Sequence, residues 1–599
     1  MSEVATRQSD AAPERDAADK ESRRVPDWFP AWAARFSHLY FSGTTSMFVL
    51  HGNVQDLVRT GDSGKPTYGA LADFLAAQVF GRWDLILHYD LATGLRAFAS
   101  TDGDRLKEMV VKANRKIGDL AAARKDPATA FAMLDRFVQN NVMAAEGDRV
   151  SAAVLIDYAS FLVPAGEPGR LSPAASTQVV TLLNWAASPY VKRLNMAFIL
   201  IDEKLSALSE RLAGSPYVAG IEIPLPAQAE REQFIRFASG DRDLSQASDF
   251  TASELARQTA GISHVDLNVM VQSALEGSRR LDGAWMRTLK KELIERQCQG
   301  LLEFIAPKWG LDTVVGHEPV KQRLREDAAL LKRGEADTLP MGYLICGAVG
   351  TGKSFLAQCM AGEIGIPCVT LKNFRSKYVG ETEGNLERVL SVLRAMGPVV
   401  VVIDEADAAL GNRGQEGDSG TSSRVFSMIA AQMGDTRYRG QILWMLLTCR
   451  PDLLPIDLKR QGRAEVHIPL FYPASTKETR DMFVAMAKKL GAKLTLDDVP
   501  EIPQRGLLSG ADIEGMVGRA WRQSLLAGQD HVTGKALAEV VSGFLPSTEG
   551  LEKELQESAA ILECTDRQFL PPEVASRLEA AGGRGKLQER LSALRRMVE

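Results

Sequence analysis

Cysteine is scarce in this chain, six among 599 residues. None falls in a CxxC pair or at metal-ligand spacing, which excludes a disulfide framework and a zinc ribbon. The thiols read as reduced and cytosolic, so the expected compartment is the cytoplasm. No apolar run approaches the roughly 18–20 residues that cross a bilayer. The segment 1–25 mixes acids and bases without an apolar stretch, so it reads as a disordered tail and not as a secretory signal. An excess of positive charge is also missing. Lys and Arg total 71 against 76 Asp and Glu, a net charge of −5, which gives no support to a dedicated nucleic-acid binder. No HExxH is present, so any proteolysis would need a partner. What is there is ordinary for a soluble globular protein: 45% hydrophobic, 25% charged, and long enough for several domains.

Order is expected to begin near Val25. WFPAWAARFSHLYF places Trp28, Trp32, Phe36 and Tyr40 four apart, one helix face read as core packing. Short Val/Ile/Leu runs then alternate with longer amphipathic segments. They are SMFVLHG (46–52), WDLILHYD (83–90), SAAVLIDYA (151–159), NMAFILID (195–202) and GIEIPLP (220–226). A second series follows: MGYLICG (341–347), PCVTL (367–371), PVVVVIDEAD (398–407), QILWMLLTC (441–449) and EVHIPLF (465–471). This alternation predicts parallel sheets covered by helices. The halves keep step. Asp157 and Pro224 are 67 residues apart, Asp404 and Pro469 are 65, and Asp157–Asp202 and Asp404–Cys449 are both 45. That spacing predicts a domain duplication. KKELIERQCQGLLEFIAPKWG (290–310) reads as a helical connector between the halves.

GAVGTGKS (347–354) fits G-x-x-x-x-G-K-[ST] after an apolar strand and before a helical pattern. Glycines let backbone N–H groups wrap phosphates, and the following helix N-terminus favours negative charge. Lys353 would reach the β- and γ-phosphates of ATP, and Ser354 would hold Mg²⁺. VVVVIDEAD ends in two acids: Asp404 would bind Mg²⁺ and Glu405 would polarise the attacking water.

Residues 311–545 resemble a AAA ATPase domain of the group that includes katanin, spastin and the valosin-containing protein. The resemblance implies a loop of Gly347, Ala348, Val349, Gly350, Thr351, Gly352, Lys353 and Ser354 on the nucleotide, with Phe355 behind it. LDTVVGHEPVKQRL resembles the group's entry segment, with Val315 and Gly316 against adenine. TCRPDLLPIDLKRQGRAEVHIPL resembles the stretch carrying sensor 1 and the arginine fingers, so Arg460 and Arg463 would serve the neighbouring subunit's site. Where the group has asparagine this chain has Cys449. A thiol orients water poorly, and Thr448 is the candidate to compensate. LSGADIEGMVGRA resembles the helical lid (474–545), with Gly510 and Ala511 near ribose and base. RSKYVGETEG resembles the pore loop of these hexamers, with Lys377, Tyr378 and Val379 gripping polypeptide.

In the first half, GDSGKPT fails the same motif: Arg59 stands six before Lys65, and Pro66 replaces Ser/Thr. Tyr158 follows Asp157, so the water-orienting acid is missing too. The fold class expected is therefore α/β, with tandem AAA+ modules. The first (26–289) is degenerate and the second (311–473 with its lid) active. The whole plan is similar to a little-characterised AAA family of bacteria and chloroplasts. GNRGQEGDSGTSSR (411–424) is either a second pore loop or a linker. The segment 546–599 is helical in pattern, with a Pro571–Pro572 break, and is expected to pack on the lid. The resemblance implies an ATP- and Mg²⁺-dependent, hexameric unfoldase acting on polypeptide, not on membrane or nucleic acid. A nucleic-acid remodeller and a slow nucleotide-dependent scaffold stay open as alternatives.

Overall fold

The computed structural model describes residues 25–598, apart from 62–65, 101, 121–124, 167–168, 170, 278–279, 307, 334, 373–380, 411–420, 474, 503–507, 546–549 and 581. The side chains of 287, 336, 381–383 and 421–423 likewise lie outside the description. Lys377, Tyr378 and Val379 lie outside the described residues, as do most of 411–424 and Lys65. The rest forms two compact units. One runs to Gln258 and includes Ser263–Leu281, and the other holds Thr259–Ile262 and everything from Asp282 onward.

The first unit is built on strands β1 (Met47–Gly52), β2 (Leu85–Asp90), β3 (Gly94–Ala97), β4 (Ala152–Asp157), β5 (Met196–Ile201) and β6 (Val218–Ile223). They lie in the order β6-β1-β5-β4-β2-β3, all parallel except β3, which returns antiparallel on β2. Every residue of β2 and β5 is buried, so both sheet faces are covered. The helix Ala31–Phe41 carries Trp32 and Phe36 into this core, and Trp28 and Tyr40 pack against its edge. The aromatic repeat is a packing face, as its spacing predicts.

The second unit repeats the scheme with β7 (Leu302–Ile305), β8 (Gly342–Gly347), β9 (Cys368–Leu371), β10 (Val399–Ile403), β11 (Ile442–Thr448) and β12 (Val466–Leu470). The order is β12-β8-β11-β10-β9-β7. Its five parallel strands follow the same path as the first unit's, which is the α/β tandem expected from the matched spacings. The antiparallel edge differs: β3 follows its neighbour in the chain, whereas β7 precedes the whole sheet.

β7 corrects one expectation. The stretch 290–310 is not a helix throughout. A helix runs Gly283–Gln297, and then Gln299 (φ 53°) and Gly300 (φ 73°) take left-handed backbone, which ends it. LLEFI then turns extended and pairs with β9, Phe304 opposite Val369, with Leu302 buried.

The lid is a separate small core of Thr476–Lys489, Gly510–Leu526 and Gly534–Ser542 around Phe483, Met516 and Leu537. The C-terminal helices Gly550–Glu563 and Gly583–Val598 meet through Leu555, Ala559, Leu591 and Leu594. Between them Pro572 opens a short helix at its first turn, where its missing N–H costs nothing. Their expected seat on the lid is also corrected. Gly550–Glu563 covers the edge strand β12: His467 N donates to Thr565 Oγ1 at 2.9 Å, and the His467 ring meets the Glu563 carbonyl at 2.9 Å. An uncovered edge of this kind invites pairing with other chains, which the helix prevents.

Candidate functional site

β8 delivers the loop 347–352 to the start of the helix Lys353–Ile364. Gly347 (φ 149°) passes so close to β12 that a Cβ would lie 2.4 Å from the Leu470 carbonyl. Gly350 (φ 81°) passes the lid, where a Cβ would lie 2.7 Å from that of Ser509. Only glycine fits at these two points. Gly352, also left-handed, leads into the helix. Thr351 Oγ1 donates to the Ala348 carbonyl at 2.9 Å and tightens the turn. The Val349 side chain is 63% exposed.

Lys353 is buried, and its ammonium donates to the carbonyls of Gly347 (2.9 Å) and Ala348 (3.0 Å). Its third neighbour is Cys449 Sγ at 3.1 Å. Ser354 Oγ donates to Asp404 Oδ2 at 2.7 Å, bringing the helix start and the end of β10 together. The Glu405 backbone N–H donates to Asp404 Oδ1 at 2.9 Å, and Glu405 itself is left-handed (φ 47°) and exposed. A non-glycine residue in that region is unusual and concentrates at functional turns. The paired hydroxyl and carboxylate oxygens of Ser354 and Asp404 fit Mg²⁺, a hard cation held by few protein oxygens while keeping several waters. The glycine-lined loop with Lys353 at its mouth fits the phosphates of ATP. The Phe355 ring packs against the core of the second sheet and lies under the Lys489 ammonium of the lid at 5.7 Å.

Thr448 is placed differently from its expected role. Its hydroxyl donates to Asp407 Oδ1 at 2.7 Å and accepts from Arg450 N at 2.9 Å, and the residue is fully buried. Its hydrogen bonds hold the turn after β11, while the adjacent Cys449 is the group that meets Lys353.

On the base side, Gly316 is left-handed (φ 70°), and a Cβ there would sit 3.3 Å from Glu478 Oε1 on the first lid helix. Lys321 fixes the entry segment beside Val315 by donating to the Val314 carbonyl at 2.8 Å. Burial pushes the neighbouring His317 imidazole below its ordinary pKa, so it is neutral at pH 7. Gly510 N donates to the Gly350 carbonyl at 2.9 Å, and Ala511 follows in the same turn. The structure thus gathers Gly350, Gly510 and Ala511 where loop and lid meet, while Gly316 lies against Glu478 of the first lid helix. Ser509 caps that lid helix through Asp512 N at 3.0 Å, a contact readable from S-x-x-D in the sequence.

Arg460 and Arg463 stand on the chain between β11 and β12. Arg460 is exposed, and Arg463 is half-buried, donating to the Asp457 carbonyl at 2.8 Å. Burial, and then the like charge of Arg460, lowers the Arg463 pKa, which leaves it cationic.

The first unit has the same frame with other contents. Gly52 (φ 94°) closes β1 as Gly347 closes β8, its would-be Cβ 2.7 Å from the Ile223 carbonyl. A turn and a short hairpin, Val58–Arg59 with Tyr68–Gly69, follow where the second unit has its phosphate loop and helix. In that turn the buried Asp56 carboxylate accepts from the backbone N–H groups of His264 and Val265, both at 2.9 Å. These open the helix His264–Glu276, which matches the lid helix Gly510–Leu526 by its spacing from the last strand. Asp157 ends β4 and meets His88 Nε2 at 2.7 Å. Tyr158 then adopts φ 54°, the same turn as Glu405, and is 53% exposed.

Comparison with known proteins matches three stretches of the chain. Residues 22–224 match the N-terminal Rossmann-like domain of AAA+ chaperones, and 229–299 the second helical domain of AAA+ chaperones. Residues 343–472 match the ATPase family associated with various cellular activities. A cell division cycle protein 48 homolog of Archaeoglobus fulgidus is 27% identical over 330 residues, covering 49% of this chain and 44% of that protein. The peroxisomal ATPase PEX6 of Eremothecium gossypii is 27% identical over 47% of this chain and 31% of its own length. The ATP-dependent zinc metalloprotease FtsH 3 of Sphaerobacter thermophilus is 27% identical over 43% of this chain and 55% of its own. The chain spans less than two thirds of each. With the phosphate loop, the strand-end acids and the lid in one frame, residues 343–472 carry the ATPase domain of the family associated with various cellular activities, similar to those of the cell division cycle protein 48 homolog and PEX6.

Proposed function

We propose that this protein is an ATP-driven protein remodeller that works as a homohexamer in the cytoplasm and threads polypeptide past Tyr378. The observation that carries the reading is the assembly of Lys353, Ser354, Asp404 and Glu405 at one end of the second sheet. Lys353 and the loop N–H groups bind the phosphates, and Ser354 and Asp404 hold Mg²⁺. Magnesium, when bound, neutralises charge on the transferring phosphoryl group. Glu405 orients water, and Arg460 with Arg463 supplies cationic charge to a neighbouring subunit. One relative, named as an ATP-dependent zinc metalloprotease, supports work on protein. Among the described residues no helix is long and apolar enough to cross a membrane.

The first unit is proposed to be the inert module. Asp56 supplies a built-in carboxylate to the lid-type helix N-terminus, and Tyr158 occupies the Glu405 turn without an acid. A slow nucleotide-dependent scaffold is the second reading, favoured by the thiol of Cys449 beside Lys353.

The test is phosphate release from Mg-ATP with and without unfolded casein, alongside sedimentation of the assembly. A motor predicts turnover stimulated by casein and lost in Lys353→Ala. A scaffold predicts tight ATP binding with turnover insensitive to casein.

A further inference from the structure

The tip of the phosphate loop is held by hydrogen bonds and not by packing. Val349 leaves its side chain exposed, yet both its backbone polar groups are taken. Its N–H donates to Gln556 Oε1 at 3.0 Å, from the C-terminal helix Gly550–Glu563. Its carbonyl accepts from the Tyr472 hydroxyl at 2.6 Å, on the link between β12 and the lid. Gln556 is 4% exposed, and its amide nitrogen donates to Glu552 Oε1 at 3.3 Å, which orients the acceptor toward the loop. Lys553, one turn before, lies 4.0 Å over the Tyr472 ring.

The far end of the same helix grips the arginine-bearing segment. Glu563 pairs with Lys459, the residue before Arg460, and Lys459 also donates to the Pro451 carbonyl at 2.9 Å. Arg595, on the last helix, meets Asp452 at 2.9 Å, and Asp452 binds Arg450 just beyond Cys449. A helix of 14 residues packed on β12 is stiff on the scale of these contacts.

We propose that Gly550–Glu563 is a strut of the nucleotide site, and that Gln556 is the positioning residue through which it sets the phosphate loop. This rests on the ATP-binding reading of that loop. Gln556 does not touch the nucleotide. It fixes Val349, and Val349 fixes the curve of the loop whose N–H groups meet phosphate.

The test is equilibrium binding of a fluorescent N-methylanthraniloyl ATP with Mg²⁺ to the full chain, read beside kcat and the unfolding midpoint. Gln556→Met keeps the volume and removes the acceptor of the Val349 N–H, and Tyr472→Phe removes the donor to the Val349 carbonyl. Each is expected to raise Kd about five-fold, with kcat at saturating ATP within about two-fold of wild type. The double variant is expected to raise Kd by clearly less than the product of the singles, because both act through Val349. If Gln556→Met loses its helical circular dichroism, Gln556→Ala takes its place, since alanine favours the helix. A wild-type Kd in the folded Gln556 variant, or effects that multiply, would overturn the strut. A wild-type chain that fails to bind the analogue, as Lys353→Ala should, would instead overturn the ATP-site reading beneath it.

Discussion

Lys353 Nζ lies 3.1 Å from Cys449 Sγ, so the phosphate-loop cation meets a thiol at the end of β11. A thiol is a weak donor and a weak acceptor, and an amide is a strong version of both. Cys449→Asn is therefore expected to raise kcat for ATP by about ten-fold, with KM within about two-fold. Steady-state phosphate release checks this. An unchanged kcat would mean that Cys449 does not limit turnover.

Ser354 and Asp404 share one hydrogen bond and, in this account, one Mg²⁺. Asp404→Asn keeps the shape and removes the charge that attracts the cation. It should raise the Mg²⁺ concentration needed for half-maximal turnover by about ten-fold or more. A magnesium titration of phosphate release reads it directly.

Arg460 is exposed and is assigned to a neighbour's site. Arg460→Ala should leave the Kd for ATP unchanged and lower kcat by about 100-fold or more. Mixing Arg460→Ala with Lys353→Ala should restore part of the activity, because some sites then have an intact loop and an intact neighbouring arginine. No recovery on mixing would place Arg460 outside any shared site.

In the first unit, Asp56 satisfies two backbone donors of the helix His264–Glu276. Asp56→Ala leaves both N–H groups without that carboxylate and should cost roughly 2–3 kcal/mol. A fall in the unfolding midpoint of that unit, with ATP affinity unchanged, is the expected result. Weaker ATP binding would tie Asp56 to the nucleotide instead.

The parallel strands were legible because they are buried on both faces. Val399–Ile403 can only be continuous apolar residues, and that run is visible without any structure. The loop at Gly347–Ser354 was equally open to reading, since its glycines, lysine and serine fall at fixed spacing in one short run, although the crowding that demands Gly347 and Gly350 comes from Leu470 and Ser509 far along the chain. β7 was not legible. Leu302–Ile305 is four residues long, and its extended form depends on pairing with Cys368–Leu371. Gln556 and Asp56 were hidden for a related reason. Their partners, Val349 and His264, lie 207 and 208 residues away in the chain. Thr448 and Cys449 were read as a pair. One hydroxyl bond to Asp407 separates them, giving the first to the scaffold and the second to the site.

The most direct measurement is retention of fluorescent unfolded casein by Glu405→Gln in Mg-ATP, compared with Lys353→Ala and with Glu405→Gln carrying Tyr378→Ala. A remodelling motor stalled before hydrolysis should hold the casein in the first case only. Equal retention by all three would contradict the account, leaving a nucleotide-binding assembly that does not thread protein.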